Sequence, residues 1–120
     1  MIKTTTCKRK IKQYLNIIGQ HKLMYKVGGI SCLFSGNQHK VHCVGIHYVN
    51  DKPVSCCITT QDNSMLSFYN IAVYTKRSYR QRGLTKPLVN KVVKRTVKVN
   101  PDYQPKNSNN NYYSKVLPKQ

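Results

Sequence analysis

The sequence predicts a single α+β domain, and two changes in the spacing of apolar residues carry that prediction. Near the N-terminus apolar residues recur at helical spacing, from Lys40 onward they alternate as in strands, and after Gly83 the helical spacing returns. The chain has 120 residues, which is enough for one hydrophobic core and too few for two. The alternating part contains three runs joined by two close turns, a pattern typical of an antiparallel three-strand meander.

The N-terminal part is predicted to form a strand and then helices. Ile2–Thr5 is a short extended segment and is the first predicted strand. Thr6 is a suitable N-cap for a helix from about Cys7 to Ile18, which Gly19 would end. The apolar side chains at helical spacing in this helix are Ile11, Leu15 and Ile18. A second short helix is predicted from the apolar residues Leu23, Met24 and Val27.

The predicted meander consists of β-branched and aromatic runs. Two turns, Asn50–Lys52 and Gln61–Ser64, interrupt these runs, and both are rich in residues that favour turns. The three strands bounded by these turns are Val41–Val49, Pro53–Thr60 and Leu66–Thr75.

A basic turn with one glycine follows the third strand, and an amphipathic helix follows the turn. Pro87 falls in the first turn of this helix, where its missing N–H costs little. We predict one more short strand at Val97–Val99, which completes a core over residues 1–100. Residues 101–120 form an Asn-, Pro- and Lys-rich arm that is either disordered or docked by a short last helix. The predicted apolar side of the amphipathic helix comprises Leu84, Leu88, Val89, Val92 and Val93.

The charge of the chain is strongly one-sided. Lysine and arginine number 21 against 3 acidic residues, none of them glutamate, so the formal net charge is +18. Such a chain repels itself and attracts polyanions. The expected partner is therefore nucleic acid, an anionic cofactor, an acidic protein or an anionic membrane surface.

Two further features bear on the location of the protein. No apolar run approaches the roughly 18 residues that a membrane span needs, and the N-terminus lacks the apolar region of a secretory signal. The cysteines number 5, without the spacing of a disulfide framework, which favours a reduced compartment. We therefore expect an intracellular protein, either cytoplasmic or, for a viral protein, located in the host cell or the virion.

The segment Tyr69–Lys94 has the form of a strand, a glycine turn and a helix. The N–H groups at such a helix start converge at the positive end of the helix dipole, an arrangement that suits phosphate. We therefore predict that this segment binds a phosphate-bearing molecule. The cations around the turn are Lys76, Arg77, Arg80, Arg82 and Lys86.

The order of strand, helices, meander and basic glycine turn resembles that of the Gcn5-related N-acetyltransferase (GNAT) superfamily. The pyrophosphate loop of the family has Arg or Gln, two residues, Gly, one residue, and then Gly or Ala. Arg80 and Gly83 match this pattern, whereas Thr85 departs from it. A β-branched residue at that position would crowd a backbone that approaches a diphosphate closely. The residues that carry the resemblance are Ile71–Thr75, Arg77–Thr85 and Leu88-Val89.

The resemblance implies a mixed sheet with helices packed on both faces, and an acyl-CoA-dependent N-acetyltransferase. The pyrophosphate of acetyl-CoA would lie on the N–H groups of residues 82–85. The pantetheine arm would follow the strand that ends at Thr75, where that strand splays away from the next one. The second substrate would be an amine of unknown identity. The residues implied in cofactor binding are Val73, Thr75, Arg80, Gln81, Arg82, Gly83, Leu84 and Thr85.

Two residues are candidates for proton transfer in such a reaction. Tyr113 with Lys115 is similar to the Tyr and Lys of the family's late helix, and Tyr113 would be the general acid that reprotonates the leaving thiolate. Tyr113 would equally serve as the anchor that docks the C-terminal arm. Because the chain has no glutamate, the usual carboxylate base is missing, and His47 or a water chain would take its place.

The alternative function is a non-catalytic GNAT-like protein that binds nucleic acid or acidic partners through its basic surface, for example within a viral assembly. In that case the basic side chains would contact phosphates without reading a base sequence. The residues of this alternative are Lys76, Arg77, Arg80, Arg82, Lys86, Lys91, Lys94 and Arg95.

The histidines and cysteines of the meander do not form a convincing metal or nucleophile site. We predict no metal site, because His42 and Cys43 would point to opposite faces of a strand and nothing at zinc-finger spacing completes a tetrahedral set. Cys56 and Cys57 are interpreted as small buried hydrophobic residues. The residues that would have to bind such a metal are His39, His42, Cys43 and His47.

Overall fold

The computed structural model describes residues 1–23, 41–61, 68–99, 101 and 104–105. Within them, five strands form one sheet in the order β1-β2-β3-β4-β5, and helices complete an α+β fold, as predicted. The elements in chain order are β1 Ile2–Thr5, α1 Lys8–Gln20, β2 Val41–Val49, β3 Lys52–Gln61, β4 Phe68–Thr75, a 3₁₀ turn Arg77–Tyr79, α2 Thr85–Val99 and β5 Gln104–Pro105.

The sheet is mixed, as the resemblance implied. Strands β1 to β4 pair antiparallel in chain order, which confirms the meander. Asn50 and Asp51 close the β2–β3 hairpin with φ angles of 51° and 63°, the conformation of a type I′ turn, which matches the twist of the strands. β5 pairs parallel to β4, but only at Phe68 and Tyr69. Within the described residues, the rest of that β4 edge up to Thr75 has no strand partner.

The two helices pack on opposite faces of the sheet, which confirms the expectation of helices on both faces. Successive residues of a strand point to opposite faces, so Val44 of β2 packs with α1 whereas its neighbour Cys43 packs with α2. The predicted apolar side of α2 is the side that the sheet buries, except that Leu84 is half-buried and precedes the helix. The helical residues in the two cores are Ile11, Leu15 and Ile18 of α1 and Leu88, Val89, Val92 and Val93 of α2.

Gly45 in β2 lies directly beneath α2. A Cβ atom at this position would overlap the side chain of Val92 and would lie 3.1 Å from Cδ1 of Leu88, closer than the optimal separation of two carbon atoms. The helix therefore packs against bare backbone, and lack of space explains a glycine in the middle of a buried strand.

The strand predicted at Val97–Val99 is wrong, because these residues form the last turn of α2. Thr96 explains why the helix continues. Its buried hydroxyl donates to the Val92 carbonyl over 2.9 Å and lies 2.7 Å from the hydroxyl of Thr59 in β3. This contact holds the end of the helix on the sheet, and tertiary packing outweighs the strand preference of the valines.

The boundaries of α1 also differ from the prediction. The helix begins at Lys8 with Cys7 as its N-cap residue, and it continues through Gly19 to Gln20. The N–H of His21 still donates to the Ile17 carbonyl over 3.0 Å, beyond the glycine. A glycine inside a helix costs about 1 kcal/mol relative to alanine, which burial of one large apolar side chain such as Ile18 offsets.

Several predicted features lie outside the described residues. They are the second helix at Met24 and Val27, most of the turn Gln61–Ser64, and the arm that carries Tyr113. The division into a core and a C-terminal arm therefore stays a prediction. No helix in the described ranges is both long and apolar enough to span a membrane.

Candidate active site

The turn between β4 and α2 exposes its backbone at the start of a helix. Gln81 and Gly83 have φ angles of 64° and 71°, in the left-handed region that glycine adopts without strain. A Cβ atom on Gly83 would meet nothing within 4 Å, so its conformation and not crowding favours glycine. Residues 80–83 are all exposed. A ligand can therefore reach the peptide groups of this turn.

Helix α2 begins at this turn, and its first N–H groups have no partner inside the helix. Thr85 is the first helical residue and Pro87 has no N–H, so the donors belong to Leu84, Thr85 and Lys86. The first turn contains no acidic side chain that would offset the positive end of the helix dipole. These donors therefore favour the binding of an anion.

A chain of hydroxyl groups connects the turn to the sheet. Thr85 Oγ1 lies 2.9 Å from Thr75 Oγ1, which lies 2.8 Å from Ser55 Oγ. Ser55 donates its single proton to the Tyr74 carbonyl over 2.9 Å, so Thr75 donates to Ser55 and Thr85 donates to Thr75. The β-branched residue that departs from the family pattern is thus held against the end of β4.

Arg80 ties the turn to the last residues of β4. Its Nε donates to the Thr75 carbonyl over 2.9 Å, and its guanidinium lies 5.5 Å from the centre of the Tyr74 ring. The guanidinium of Arg82 lies 5.0 Å from the centre of the Tyr79 ring. Cations stack favourably on aromatic faces, so the turn presents positive charge at defined positions.

A pocket of about 290 Å³ opens beside the turn and touches Val73, Tyr74, Thr75, Arg80 and Thr85. Val73 and Tyr74 point to opposite faces of the sheet, so a pocket that touches both lies at an edge of β4. The other edge of β4 pairs with β3. The pocket therefore lies at the edge without a strand partner in the described residues, and its volume suits a small ligand or part of a larger one.

His47 lies on β2, on the face that α2 covers, in one cross-strand row with Ser55 and Thr75. Its Nδ1 lies 3.4 Å from the Leu84 carbonyl. Because a carbonyl can only accept, Nδ1 carries the proton and Nε2 of the neutral ring can accept one. Burial lowers the pKa of His47, and this outweighs the hydrogen bond to Leu84, which raises it. The ring is therefore mostly neutral at pH 7 and can act as a base.

The catalytic candidate Tyr113 and the possible metal ligand His39 lie outside the described residues. In the part of the chain that the structure describes, no group of three or more His, Cys, Asp or Glu residues could hold a metal ion. Burial raises the pKa of Cys56 to about 12 and the pKa of Cys57 well above its usual value. Neither thiol is a nucleophile near neutral pH.

The structure brings together the residues implied in cofactor binding. Four of them, Val73, Thr75, Arg80 and Thr85, meet in the pocket, and the remaining four form the turn.

Ser55 belongs to the hydroxyl chain of this site, although the sequence patterns did not single it out. It is fully buried between apolar neighbours in β3. Because a buried hydroxyl needs a hydrogen-bond partner, a serine between apolar residues of a predicted strand was the feature of the sequence that could have indicated this contact.

The cations of the nucleic-acid alternative occupy two separate places. Those from position 76 to position 86 belong to the turn and the start of α2, whereas Lys91, Lys94 and Arg95 lie on the exposed side of α2, together with Lys98. Nη1 of Arg95 donates to the carbonyl and the hydroxyl of Thr4, over 2.9 and 3.0 Å. Each like-charge pair at helical spacing, such as Lys91 with Lys94, destabilises a helix by about 0.2–0.5 kcal/mol.

The sequence of the chain matches no family model and no curated protein. Its structure, in contrast, is similar to several crystal structures. Escherichia coli ElaA has a TM-score of 0.59 at 15% identity, with 86% of this chain and 74% of that chain covered. An aminoglycoside acetyltransferase, meta-AAC0020, from an uncultured soil metagenomic sample has a TM-score of 0.58 at 10% identity, with 100% of this chain and 90% of that chain covered.

A third similar structure is an acetyltransferase of the GNAT family from Streptococcus pneumoniae. It has a TM-score of 0.54 at 8% identity, with 86% of this chain and 71% of that chain covered. Identities this low show a shared fold and do not by themselves carry over a substrate. The mixed sheet, the helices on its two faces and these likenesses together show that the chain has a GNAT-like fold.

Proposed function

We propose that this protein binds acetyl-CoA at the β4–α2 junction and transfers the acetyl group to an amine. The observation that carries the proposal is the pocket at the open edge of β4, which adjoins the exposed backbone of Gly83 and the first N–H groups of α2. An anionic diphosphate followed by an extended arm fits these two adjoining features.

The residues of the turn would bind the diphosphate. The proposed donors are the N–H groups of residues 82 and 83 in the turn and of residues 84–86 at the start of α2, and the side chains of Arg80, Arg82 and Lys86 add positive charge around them. The Thr85 hydroxyl is directed to Thr75, which keeps this side chain against β4. The peptide groups from Val73 to Thr75 at the open edge are the proposed partners of the pantetheine arm.

When bound, acetyl-CoA supplies an acyl group activated as a thioester. The proton that the attacking amine loses would go to Nε2 of His47, whose Nδ1–H is held by the Leu84 carbonyl. The chain's candidate for protonating the thiol that leaves is Tyr113, with anchoring of the C-terminal arm as its other proposed role.

A second candidate is a GNAT-like protein without turnover, in which the same turn holds the phosphates of nucleic acid or an acidic partner. The observation that favours it is the scarcity of carboxylates. Among the described residues the one acidic side chain is Asp51, in the turn between β2 and β3, so no described carboxylate is available near α2 to attract a cationic amine.

Calorimetric titration with acetyl-CoA tests the cofactor proposal. Gly83→Glu places a negative charge in the turn and should weaken binding about tenfold or more, equivalent to about 1.4 kcal/mol. Gly83→Asn is the matched control, because asparagine tolerates a positive φ and its Cβ meets open space. Absence of heat with the wild type at high micromolar acetyl-CoA would reject the proposal, and circular dichroism checks that each variant is folded.

Release of free thiol in the presence of a panel of amines tests turnover. Asparagine at position 47 keeps an N–H donor near the place of Nδ1 and removes the basic Nε2. His47→Asn should therefore lower kcat by about 10²–10⁴ with little change in acetyl-CoA affinity. Binding of acetyl-CoA by the wild type without thiol release for any amine would favour the second candidate.

A further inference from the structure

The exposed side of α2 carries a regular row of cations, which we call the α2 row: Lys91, Lys94, Arg95 and Lys98. Positions three and four apart share one side of a helix, so the four side chains point the same way. At a rise of about 1.5 Å per residue, the row extends over about 10 Å. It begins beyond the pocket and shares no residue with the turn.

The row is presented on a rigid support. The opposite side of α2 is buried on the sheet through Leu88, Val89, Val92 and Val93, so the helix cannot rotate to hide the row. Arg95 is also fixed to β1 by the two bonds from its Nη1 to Thr4. Four cations are thus held at a spacing that the fold determines.

No charge on the helix balances the row. α2 contains no acidic residue, and Asp51, the one acid among the described residues, lies in the β2–β3 turn. A solvated surface normally mixes both signs of charge. A one-sign row on a helix therefore calls for an anionic partner.

The composition of the row favours a phosphate backbone over an acidic protein or a membrane. Protein interfaces are depleted in lysine and enriched in aromatic residues, whereas three of the four side chains are lysine. Binding to single strands uses aromatic side chains on which bases stack, and α2 has none. A membrane-bound helix needs an apolar side free to insert, and here that side is buried.

We propose that the α2 row binds the phosphates of double-stranded nucleic acid, without reading its sequence and independently of the pocket. The cations contact phosphates as point charges and release counterions. The logarithm of the binding constant then falls with the logarithm of the salt concentration, with a slope of about −0.9 per phosphate contact. Four contacts correspond to a slope of about −3.6.

Fluorescence anisotropy with a short labelled DNA or RNA duplex, from about 50 to about 200 mM salt, measures this slope. The triple variant Lys91→Gln, Lys94→Gln, Lys98→Gln should make the slope less steep by about 2.7. The matched control carries Arg9→Gln, Lys10→Gln and Lys12→Gln, three exposed cations of α1 on the opposite face of the sheet. This control variant loses the same charge. It should change the slope by less than about 0.9, the contribution of one phosphate contact.

Four outcomes would overturn the proposal. One is absence of binding by the wild type to either duplex at about 50 mM salt, where phosphate contacts are strong. Equal losses in the two triple variants would mean that net charge binds the duplex and not the row. Displacement of the duplex by poly-glutamate as effectively as by unlabelled duplex would indicate that the partner is an acidic protein.

The binding of acetyl-CoA separates the α2 row from the pocket. Loss of acetyl-CoA binding in the α2 variant would show that the row and the pocket are one site. Failure of the wild type to bind acetyl-CoA would leave the duplex result intact.

Discussion

The hydroxyl of Thr85 donates a hydrogen bond to the hydroxyl of Thr75 over 2.9 Å, and this bond joins the first residue of α2 to the last residue of β4. It spans the turn that presents Gly83. The position of the exposed turn thus depends on a side-chain bond between its two ends, continued into the sheet by Ser55.

Replacing Thr85 with valine should destabilise the protein by about 1 kcal/mol. Valine keeps the shape of threonine and removes the donor, so the Thr75 hydroxyl loses one partner. Urea denaturation of the wild type and variant gives the difference in free energy of unfolding. Thr85→Ser retains the hydroxyl and is the matched control. Equal stability of the valine variant and the wild type would show that the bond contributes nothing.

Replacing Gly45 with alanine should destabilise the protein by about 1–3 kcal/mol, because the new methyl group would overlap Val92 and force α2 away from the sheet. Thermal or chemical unfolding measures this loss. Gly19→Ala is the matched substitution at an exposed position of α1. Alanine at this position should stabilise the helix by up to about 1 kcal/mol. If Gly45→Ala stabilised the protein as Gly19→Ala is expected to do, the close packing of α2 against β2 would be contradicted.

The stability of the protein should fall as the pH drops below about 6.5. Burial lowers the pKa of both His42 and His47 in the folded state. Below the ordinary histidine pKa the unfolded chain therefore binds more protons than the folded one, and protonation favours unfolding. The loss develops between the ordinary pKa and the lowered pKa of each ring and then levels off.

Denaturation curves from pH 8 to pH 5 check this dependence. His47→Asn and His42→Asn should each remove part of the slope in this range, and the double variant should remove more than either. His21 is exposed at the end of α1, so His21→Asn is the matched control for replacing a histidine outside the core. A slope that the double variant retains would mean that other groups cause it.

Cys7 should be the fastest of the described cysteines to react with iodoacetamide. Its thiol is exposed at the start of α1, where the nearby backbone N–H groups of Lys10 and Arg9 lower its pKa. Burial raises the pKa of Cys43 to about 11 and that of Cys56 to about 12. The thiolate is the reactive form, so peptide mapping near pH 7.5 should find label at Cys7 first. Labelling of Cys43 or Cys56 at the same rate in the folded protein would contradict their burial.

The parts of the fold that were predicted correctly depend on short stretches of sequence. Asn50 and Asp51 favour a close hairpin turn whatever surrounds them, although Lys52, which was predicted in the turn, is the first residue of β3. Alternation of apolar residues predicted the bounds of β2 as observed. The strand predicted at Val97–Val99 failed because its conformation depends on a distant contact. Thr96 reaches Thr59 on β3, and a run of valines contains no sign of that partner.

By itself, the sequence determined the order of β1, α1, β2, β3, β4 and α2, a glycine turn at the start of a basic helix, and an excess of positive charge. These features depend on residues a few positions apart. Only the tertiary structure decided that Ser55, Thr75 and Thr85 form one hydroxyl chain and that His47 reaches Leu84. These residues belong to different elements. Their distances depend on the register of β2, β3 and β4 and on the packing of α2 against Gly45. The spacing of apolar residues alone encodes neither the register nor this packing.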